Sequence, residues 1–151
     1  MSFLPPDEPQ PGCPLCEAPG GTPIAQSRLW RVIRAEDASF PAFYRVVWRE
    51  HVAEFGDLDA AARVHCMAVV EAVERVLRQR LSPTKINLAA FGNVVPHLHW
   101  HVIARFDWDS HWPQPVWAAA QRTVEPAPLQ RLGMPLQELD EAVAAALNSL
   151  S

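Results

Sequence analysis

The stretch 96-PHLHWHVIARF-106 places three histidines, His97, His99 and His101, at every second position. Leucine, tryptophan and valine fill the positions that follow each of them. Side chains alternate between the two faces of a β-strand, so a strand here puts the imidazoles on one face and the apolar residues on the other. The pattern therefore predicts a strand whose apolar face packs on the core and whose other face carries a row of histidines.

Two chemistries are open to such a row. Histidines spaced as HxH on a strand offer imidazoles to zinc, so all three could be ligands of a catalytic metal. Alternatively, a neutral imidazole attacks an electrophilic phosphorus while its neighbours fix its tautomer and bind phosphate oxygens. The preceding turn, 92-GNVVPH-97, favours the second chemistry because its backbone N–H groups are anion donors. Asn87, on the preceding predicted strand, can orient one ring.

The elements around the row predict an α+β fold. The predicted strands are 28–35, 40–50, 85–91 and 97–106, and the predicted helix is 57–81. Aromatic and β-branched residues mark the first two strands as a hairpin. Apolar residues at three- and four-residue intervals mark the helix, which Asp57 or Asp59 would cap. Four antiparallel strands crossed by one long helix form an α+β domain.

The remaining segments differ in composition from this centre. Residues 1–12 are polar and rich in proline, which predicts a flexible N-terminus. Residues 107–135 hold three tryptophans and several prolines and predict an extended arm. An alanine-rich helix at 136–150 follows. A length of 151 residues suits one domain with a hydrophobic core, so we expect a single domain over 1–151.

Composition narrows the class of partner and the compartment. The formal net charge of −4 argues against a nucleic-acid-binding surface. The N-terminus lacks the basic and apolar regions of a signal peptide, and no stretch is long enough to span a bilayer. Three cysteines without a secretion signal argue against a disulfide framework. We therefore expect a cytoplasmic protein with neither nucleic acid nor membrane as a partner.

Cys13 and Cys16 form a CxxC motif, which alone is half of a zinc site. Chance or plain packing is the alternative. A redox motif is expected between a strand and a helix, whereas this pair precedes Gly20, Gly21 and Pro23, which predict a loop. Two further ligands would complete a zinc site, and His51 at the end of the second strand and His97 are the candidates.

The signature H-φ-H-φ-H-φ-φ, where φ is an apolar residue, is present as 97-HLHWHVI-103. It resembles that of the histidine triad (HIT) family of nucleotide hydrolases and transferases. The strand with Asn87, the turn 92-GN-93 and the order of hairpin, long helix and two strands are similar as well, so the likeness covers residues 13–106. It implies a HIT-like fold, with an antiparallel sheet, one long crossing helix and a C-terminal helix, and an activity like that of the diadenosine polyphosphate hydrolases.

The resemblance also implies residue roles. His99 would attack the α-phosphorus of a dinucleoside polyphosphate or phosphoramidate and form a nucleotidyl-histidine intermediate. His101 would bind the phosphate and assist the leaving group, and Asn87 would bind or orient the substrate. A non-catalytic nucleotide-binding module with the same fold is the alternative to an enzyme.

The turn before the histidines both matches the family and departs from it. The backbone N–H groups of Asn93, Val94 and Val95 would hold the non-bridging phosphate oxygens. Many family members carry a serine or threonine hydroxyl in this turn, near the scissile bridge, where this chain has valines. The source of the proton for the leaving group is therefore open.

Some HIT proteins and the related galactose-1-phosphate uridylyltransferases bind a structural zinc with residues in comparable positions. The resemblance implies a closed site of Cys13, Cys16, His51 and His97, and no organic cofactor. Such a zinc would have no open coordination position, and it would tether the N-terminal loop to the histidine strand. The resemblance further implies a nucleotide substrate and a homodimer.

Overall fold

The computed structural model describes residues 1–151 and contains one five-stranded antiparallel sheet in the order β1-β2-β3-β5-β4. The strands are β1 Thr22–Gln26, β2 Trp30–Arg34, β3 Phe43–Trp48, β4 Lys85–Ala89 and β5 His99–Arg105. The helices are α1 Pro14–Glu17, α2 Ala60–Leu81, α3 Pro128–Arg131 and α4 Leu136–Leu147, with single 3₁₀ turns at Phe55–Asp57 and Asn148–Leu150. The α+β class, the antiparallel sheet, the long helix and the C-terminal helix are all confirmed.

Strand β1 lies in a segment that Gly20, Gly21 and Pro23 predict as a loop, and this prediction is wrong. It pairs with β2 at the edge of the sheet, with an irregular register between Pro23 and Ala25. An edge strand tolerates proline because one side of the strand needs no N–H donor. Gly21 permits the close approach, since a Cβ at this position would lie 2.6 Å from the carbonyl oxygen of Arg34.

Helix α2 begins three residues later than predicted. Asp59 is its N-cap, with Oδ1 accepting a hydrogen bond from the backbone N–H of Ala62 at 2.8 Å. Asp57 belongs instead to the separate 3₁₀ turn that precedes the helix. Ser82 ends α2 in the left-handed region, with φ of 46°, and Pro83 follows. None of the helices combines the length and the apolar character that crossing a membrane requires.

The main core lies between one face of the sheet and the helices α2 and α4. The buried residues of these helices are Cys66, Val69, Val70, Val73, Val76, Leu77, Leu139, Val143 and Leu147. They pack with Tyr44 and Val46 of β3 and with Val102 of β5. Leu98 is buried in the same cluster and Trp100 packs against it. The prediction that the apolar side of the histidine strand packs on the core is confirmed, and α2 forms part of that core.

The opposite face of the sheet carries the polar residues. In the register of β3 with β5, Arg45 lies opposite His101, and Val47 lies opposite His99. Residues directly opposite on antiparallel strands share a face, so Arg45 stands beside the two histidines. The loop with α1 covers this face at one end and the segment after β5 covers it at the other. His99 stays partly exposed between these two covers, whereas His101 is buried.

A buried ion pair holds the arm on this second face. Arg105 donates from Nε to Asp109 Oδ2 at 2.8 Å and from Nη2 to Asp109 Oδ1 at 3.0 Å. The same guanidinium donates to the Gln114 carbonyl at 2.7 Å and to Asn87 Oδ1 at 2.8 Å. One side chain therefore joins β5, β4 and the arm. The arm itself is not wholly extended, because it contains the short helix α3.

Candidate active site

A cavity of about 550 Å³ lies over the histidine face of β5. Its size is within the range of small-molecule sites. It is lined by Pro14, Leu15, Gly20, Arg45, Phe91, Gly92, Asn93, Val94, Val95, His99, His101 and Trp117. The turn 92–95 therefore forms one wall, the loop with α1 a second, and Trp117 of the arm a third. No carboxylate lines this cavity, which makes it suited to an anion.

His99 presents an unprotonated nitrogen. Its Nδ1 lies 2.6 Å from the backbone oxygen of His97. A carbonyl only accepts, so Nδ1 carries the proton and Nε2 holds a lone pair. Burial lowers the pKa of His99 and the charge of Arg45 lowers it further, against the opposing effect of the hydrogen bond to His97. The ring is therefore neutral at pH 7, as a nucleophile requires.

His101 has the opposite tautomer. Arg45 Nε donates to His101 Nδ1 at 3.4 Å, so Nδ1 accepts and the ring proton sits on Nε2. Burial, His99 and Arg45 together lower the pKa of His101 to about 3. The ring makes edge contacts with Phe43, His99 and Trp117 at centroid distances of 5.5, 4.9 and 5.0 Å. His101 is thus a neutral N–H donor held between aromatic rings.

Arg45, Phe91 and Trp117 also line the cavity, and none of them is among the site residues that the histidine motif and its turn predict. Arg45 interrupts the apolar run 43-FYRVVW-48 on a central strand, and that interruption was the available signal. Phe91 and Trp117 are 59% and 50% exposed and meet edge-to-face at 4.7 Å between ring centroids. The tryptophan gave no usable signal, because the neighbouring tryptophans of the arm look alike in sequence.

The predicted phosphate-binding residues fall in two places. Asn93, Val94 and Val95 line the cavity through the turn that precedes the histidines. Asn87 shares the histidine face of the sheet but does not line the cavity, and its side-chain oxygen accepts from Arg105 Nη1 at 2.8 Å. Its direct contact with a substrate stays a prediction.

The four predicted zinc ligands, Cys13, Cys16, His51 and His97, meet in one cluster, with their ligand atoms within 4.8 Å of one another. His97 Nδ1 lies 3.4 Å from both Sγ atoms and 3.3 Å from His51 Nδ1. A tetrahedral zinc with bonds of about 2.0–2.1 Å to nitrogen and about 2.3 Å to sulfur has N–N edges of about 3.3–3.4 Å and N–S edges of about 3.6 Å. The residues therefore fit a closed tetrahedral site.

His97 lies outside the strand that was predicted to begin with it. Its N–H donates to the Val95 carbonyl at 2.8 Å, in a bend before β5. Its Nε2–H donates to the Trp48 carbonyl at 2.7 Å, which leaves the Nδ1 lone pair for a metal. Both ring nitrogens are thus used away from the cavity. The three-histidine metal site is not formed, because the Cys₂His₂ cluster is the one group positioned to hold an ion.

Arg31 secures the loop that carries the two cysteines. It is 5% exposed and donates from Nη2 to the carbonyls of Leu15 and Ala18 at 2.8 and 3.0 Å. Its Nε donates to the Pro19 carbonyl at 2.9 Å. Burial lowers the pKa of Arg31 to about 10, so the group stays charged at pH 7. Burial raises the pKa of the Cys16 thiol, and the positive charge of Arg31 opposes that shift toward the thiolate form that metals bind.

The family model and the solved structures that match this chain belong to one family. A family model described as the HIT domain matches residues 21–108, more than half of the chain. The histidine triad protein blr8122 from Bradyrhizobium japonicum is 30% identical, with a TM-score of 0.69 over 85% of this chain and 91% of that chain. The histidine triad protein SMc02904 from Sinorhizobium meliloti 1021 is 26% identical, with a TM-score of 0.64 over 88% of this chain and 91% of that chain.

A zinc-bound histidine triad family protein from Mycobacterium smegmatis shares the fold at 18% identity, with a TM-score of 0.56 over 87% of this chain and 88% of that chain. The comparison with curated proteins finds no match.

Proposed function

Because the chain belongs to the histidine triad family, we propose that it hydrolyses or transfers a nucleotidyl group at the α-phosphate of a nucleoside phosphate derivative. The observation that carries this proposal is the pair of opposite tautomers in the cavity. His99 offers a lone pair on Nε2, whereas His101 offers a proton on Nε2. A nucleophile beside an N–H donor is what attack on a phosphorus atom needs.

In the first step, His99 Nε2 attacks the α-phosphorus, and the bond from phosphorus to the bridging atom breaks. The leaving group takes the electron pair of that bond. The hydrogen bond from Nδ1 to the His97 carbonyl stabilises the positive charge that the ring acquires. The N–H groups of Asn93, Val94 and Val95, with His101 Nε2–H, would hold the non-bridging oxygens. Water or another acceptor then attacks the phosphorus and restores His99.

The substrates we propose are of the dinucleoside polyphosphate or phosphoramidate type. Phe91 and Trp117 present aromatic surface at the cavity, on which a nucleobase can stack. Asn87 contributes to substrate orientation through Arg105, which it anchors and which holds the arm that carries Trp117. The activity is thus of the diadenosine polyphosphate hydrolase kind.

We propose that Cys13, Cys16, His51 and His97 hold a structural zinc. When bound, the ion would supply a crosslink between the N-terminal loop and the start of β5, with all four positions filled by protein. The backbone of His97 would then be fixed where its oxygen meets His99 Nδ1. No organic cofactor is required by this chemistry.

A homodimer through α2 and the free edge of β4 is the proposed assembly. This surface forms an apolar groove in which Val64 and Leu88 are 72% and 45% exposed. Arg63 and Glu71 lie four residues before and after Met67 at the same groove. A two-fold axis near Met67 would bring Arg63 of one copy to Glu71 of the other, so the surface is complementary to itself.

The compartment and the extent of the enzyme are also proposed. None of the three cysteines forms a disulfide, which suits the reducing cytoplasm. We propose that residues 1–151 act there as a single domain, without a nucleic acid or membrane partner.

The test is a screen of the purified protein for mononucleotide release from diadenosine polyphosphates, adenosine 5′-phosphoramidate and sugar nucleotides. We expect His99→Ala to lower turnover by about 10⁴-fold or more. The control is His111→Gln, which changes a histidine that does not line the cavity. Full activity of His99→Ala would reject the proposal. Tight nucleotide binding by the wild type without release from any compound would favour a binding module instead.

A further inference from the structure

Arg45 is the one charged side chain that lines the cavity, and no carboxylate neutralises it. It forms no ion pair, and its single hydrogen bond runs from Nε to His101 Nδ1 at 3.4 Å. Its Nη1 and Nη2 groups therefore have no protein acceptor. Asp37 influences it only through space. The guanidinium also lies 5.2 Å from the centre of the Phe43 ring.

A half-buried guanidinium without an acceptor is costly unless a ligand supplies one. Two free NH₂ groups on a planar fork match the oxygens of a phosphate. Because Arg45 lies opposite His101 in the strand register, the guanidinium stands beside the His101 ring, and both residues line the cavity. A bound phosphate can therefore reach both groups.

The lining of the cavity also restricts the leaving group. A departing amine must take up a proton, but the lining contains no Ser, Thr, Tyr, Cys, Lys, Asp or Glu side chain. The neutral His101 ring releases its remaining proton poorly. A departing phosphate leaves as an anion and needs positive charge rather than a proton. The turn, with Val94 and Val95, and the cation at Arg45 both suit the phosphate.

We propose that Arg45 binds the phosphate on the leaving-group side of the scissile bond, and that the site therefore acts on phosphoanhydrides in preference to phosphoramidates. This inference rests on the proposed function. It makes Arg45 a catalytic residue, since it touches the group that departs.

The chemical step balances without any further reagent. The bond from His99 Nε2 to the α-phosphorus forms as the bond from that phosphorus to the bridging oxygen breaks. The electron pair stays on the oxygen, and the new negative charge develops next to Arg45. In the second step a water oxygen bonds to phosphorus, His99 Nε2 leaves with its lone pair, and the proton of the water passes to solvent.

The test uses two substrates that share the adenylyl group and differ in what departs. Diadenosine triphosphate releases ADP, whereas adenosine 5′-phosphoramidate releases ammonia. We expect the wild type to show the higher kcat/KM on the anhydride. Arg45→Gln should lower that value by about 10²–10³-fold, the usual effect of removing one such donor. Its turnover of the phosphoramidate should fall by at least about tenfold less, because on that substrate only the bond to His101 Nδ1 is lost, and Arg45→Lys should recover part of the loss on the anhydride.

A merely structural role for Arg45, such as holding His101, predicts an equal loss on both substrates, and that result would overturn the assignment. An unchanged anhydride rate in Arg45→Gln would overturn it too. Different results would reject the proposed function and the role of Arg45. If the wild type never forms a nucleotidyl-His99 species, the proposed function itself is rejected. If it forms that species and Arg45→Gln slows both substrates alike, only the role of Arg45 is rejected.

A binding measurement gives an answer that does not depend on turnover. In the His99→Ala background, ADP should bind about tenfold or more tightly than AMP, because its second phosphate reaches Arg45. Adding Arg45→Gln should remove that difference by weakening ADP binding more than AMP binding. Equal affinities for ADP and AMP in the His99→Ala protein would contradict the contact.

Discussion

Substitution of Asp109 by alanine should detach the arm and destabilise the whole protein. Asp109 is 2% exposed and its partner Arg105 is 1% exposed. Besides two hydrogen bonds from Arg105, the Asp109 carboxylate accepts three from backbone N–H groups, those of Phe106, His111 and Trp112. Alanine removes these acceptors and leaves the guanidinium buried without its counter-charge.

Asp109→Ala should lower the free energy of unfolding by about 3–5 kcal/mol, the range measured when one partner of a buried ion pair is removed. For a chain of this length it corresponds to a fall in Tm of about 10 °C. Arg105 keeps its bonds to Asn87 and to the Gln114 carbonyl, so the fold should survive. The arm should become the part most exposed to proteases, since its anchor to β5 is weakened.

The pH dependence follows from the sign of the pKa shift. Burial alone would raise the pKa of Asp109, but the hydrogen bonds from Arg105 and from the backbone of His111 and Phe106 outweigh it, and the net pKa lies below its usual value. The folded pKa is thus below that of the unfolded chain, about 3.9. The stabilisation that ionised Asp109 gives the fold is complete above about pH 4. It is lost as the pH falls through the lower pKa that Asp109 has in the folded protein. The difference in free energy of unfolding between the wild type and Asp109→Ala should therefore shrink below about pH 4.

Urea unfolding at pH 7 and at pH 3, with limited proteolysis of residues 107–122, measures these effects. The matched control is Asp107→Ala, two residues earlier in the chain. The Asp107 side chain is exposed and has no partner, so this change should alter the free energy of unfolding by less than about 0.5 kcal/mol. If Asp109→Ala were as stable as this control at pH 7, the account of how the arm is held would be refuted.

Three further predictions concern the metal cluster, the dimer and the cavity. Arg31→Gln should weaken zinc binding by about 10–100-fold in a competition with a chromophoric chelator, since a side chain that supports ligands is lost; the exposed Arg28→Gln should not. Val64→Glu should convert a dimer to a monomer in sedimentation equilibrium, because it buries two charges near the axis; Arg78→Ala, an exposed position of α2 outside the groove, should stay dimeric. Trp117→Ala should raise KM by about tenfold or more, since stacking of a base on an aromatic ring is worth about 1–3 kcal/mol; an unchanged KM would remove it from the substrate site.

Local periodicity was enough to predict most of the fold. The long helix and the alternating strands carry their pattern within a few residues, so α2, β3 and β5 were predicted to within a few positions. Strand β1 is not predicted because Gly21 and Pro23 are typical of a loop. At the edge of a sheet a strand tolerates the proline, since one of its sides needs no hydrogen-bond donor. His97 was predicted on the strand, but the bonds of residues 97 and 98 to the Val95 and Val52 carbonyls turn the chain away from the ladder.

The sequence likewise predicts some residues of the site and not others. His99 and His101 were predictable because one short motif contains them. The metal cluster joins segments far apart in sequence, and only the likeness to a family suggested that Cys13 and His51 meet. Arg45 was not predicted because its importance comes from a strand register that places it opposite His101, and register is not visible along one chain.

The measurement that tests the central claim most directly is the capture of the covalent intermediate. The protein is mixed with diadenosine triphosphate, quenched with alkali within milliseconds to seconds to protect the acid-labile P–N bond, and digested for mass spectrometry. We predict a single adenylyl group per chain, on Nε2 of His99, that forms and decays at rates consistent with turnover. A nucleotide attached to any other residue, or steady turnover with no adduct at any time, would contradict the mechanism.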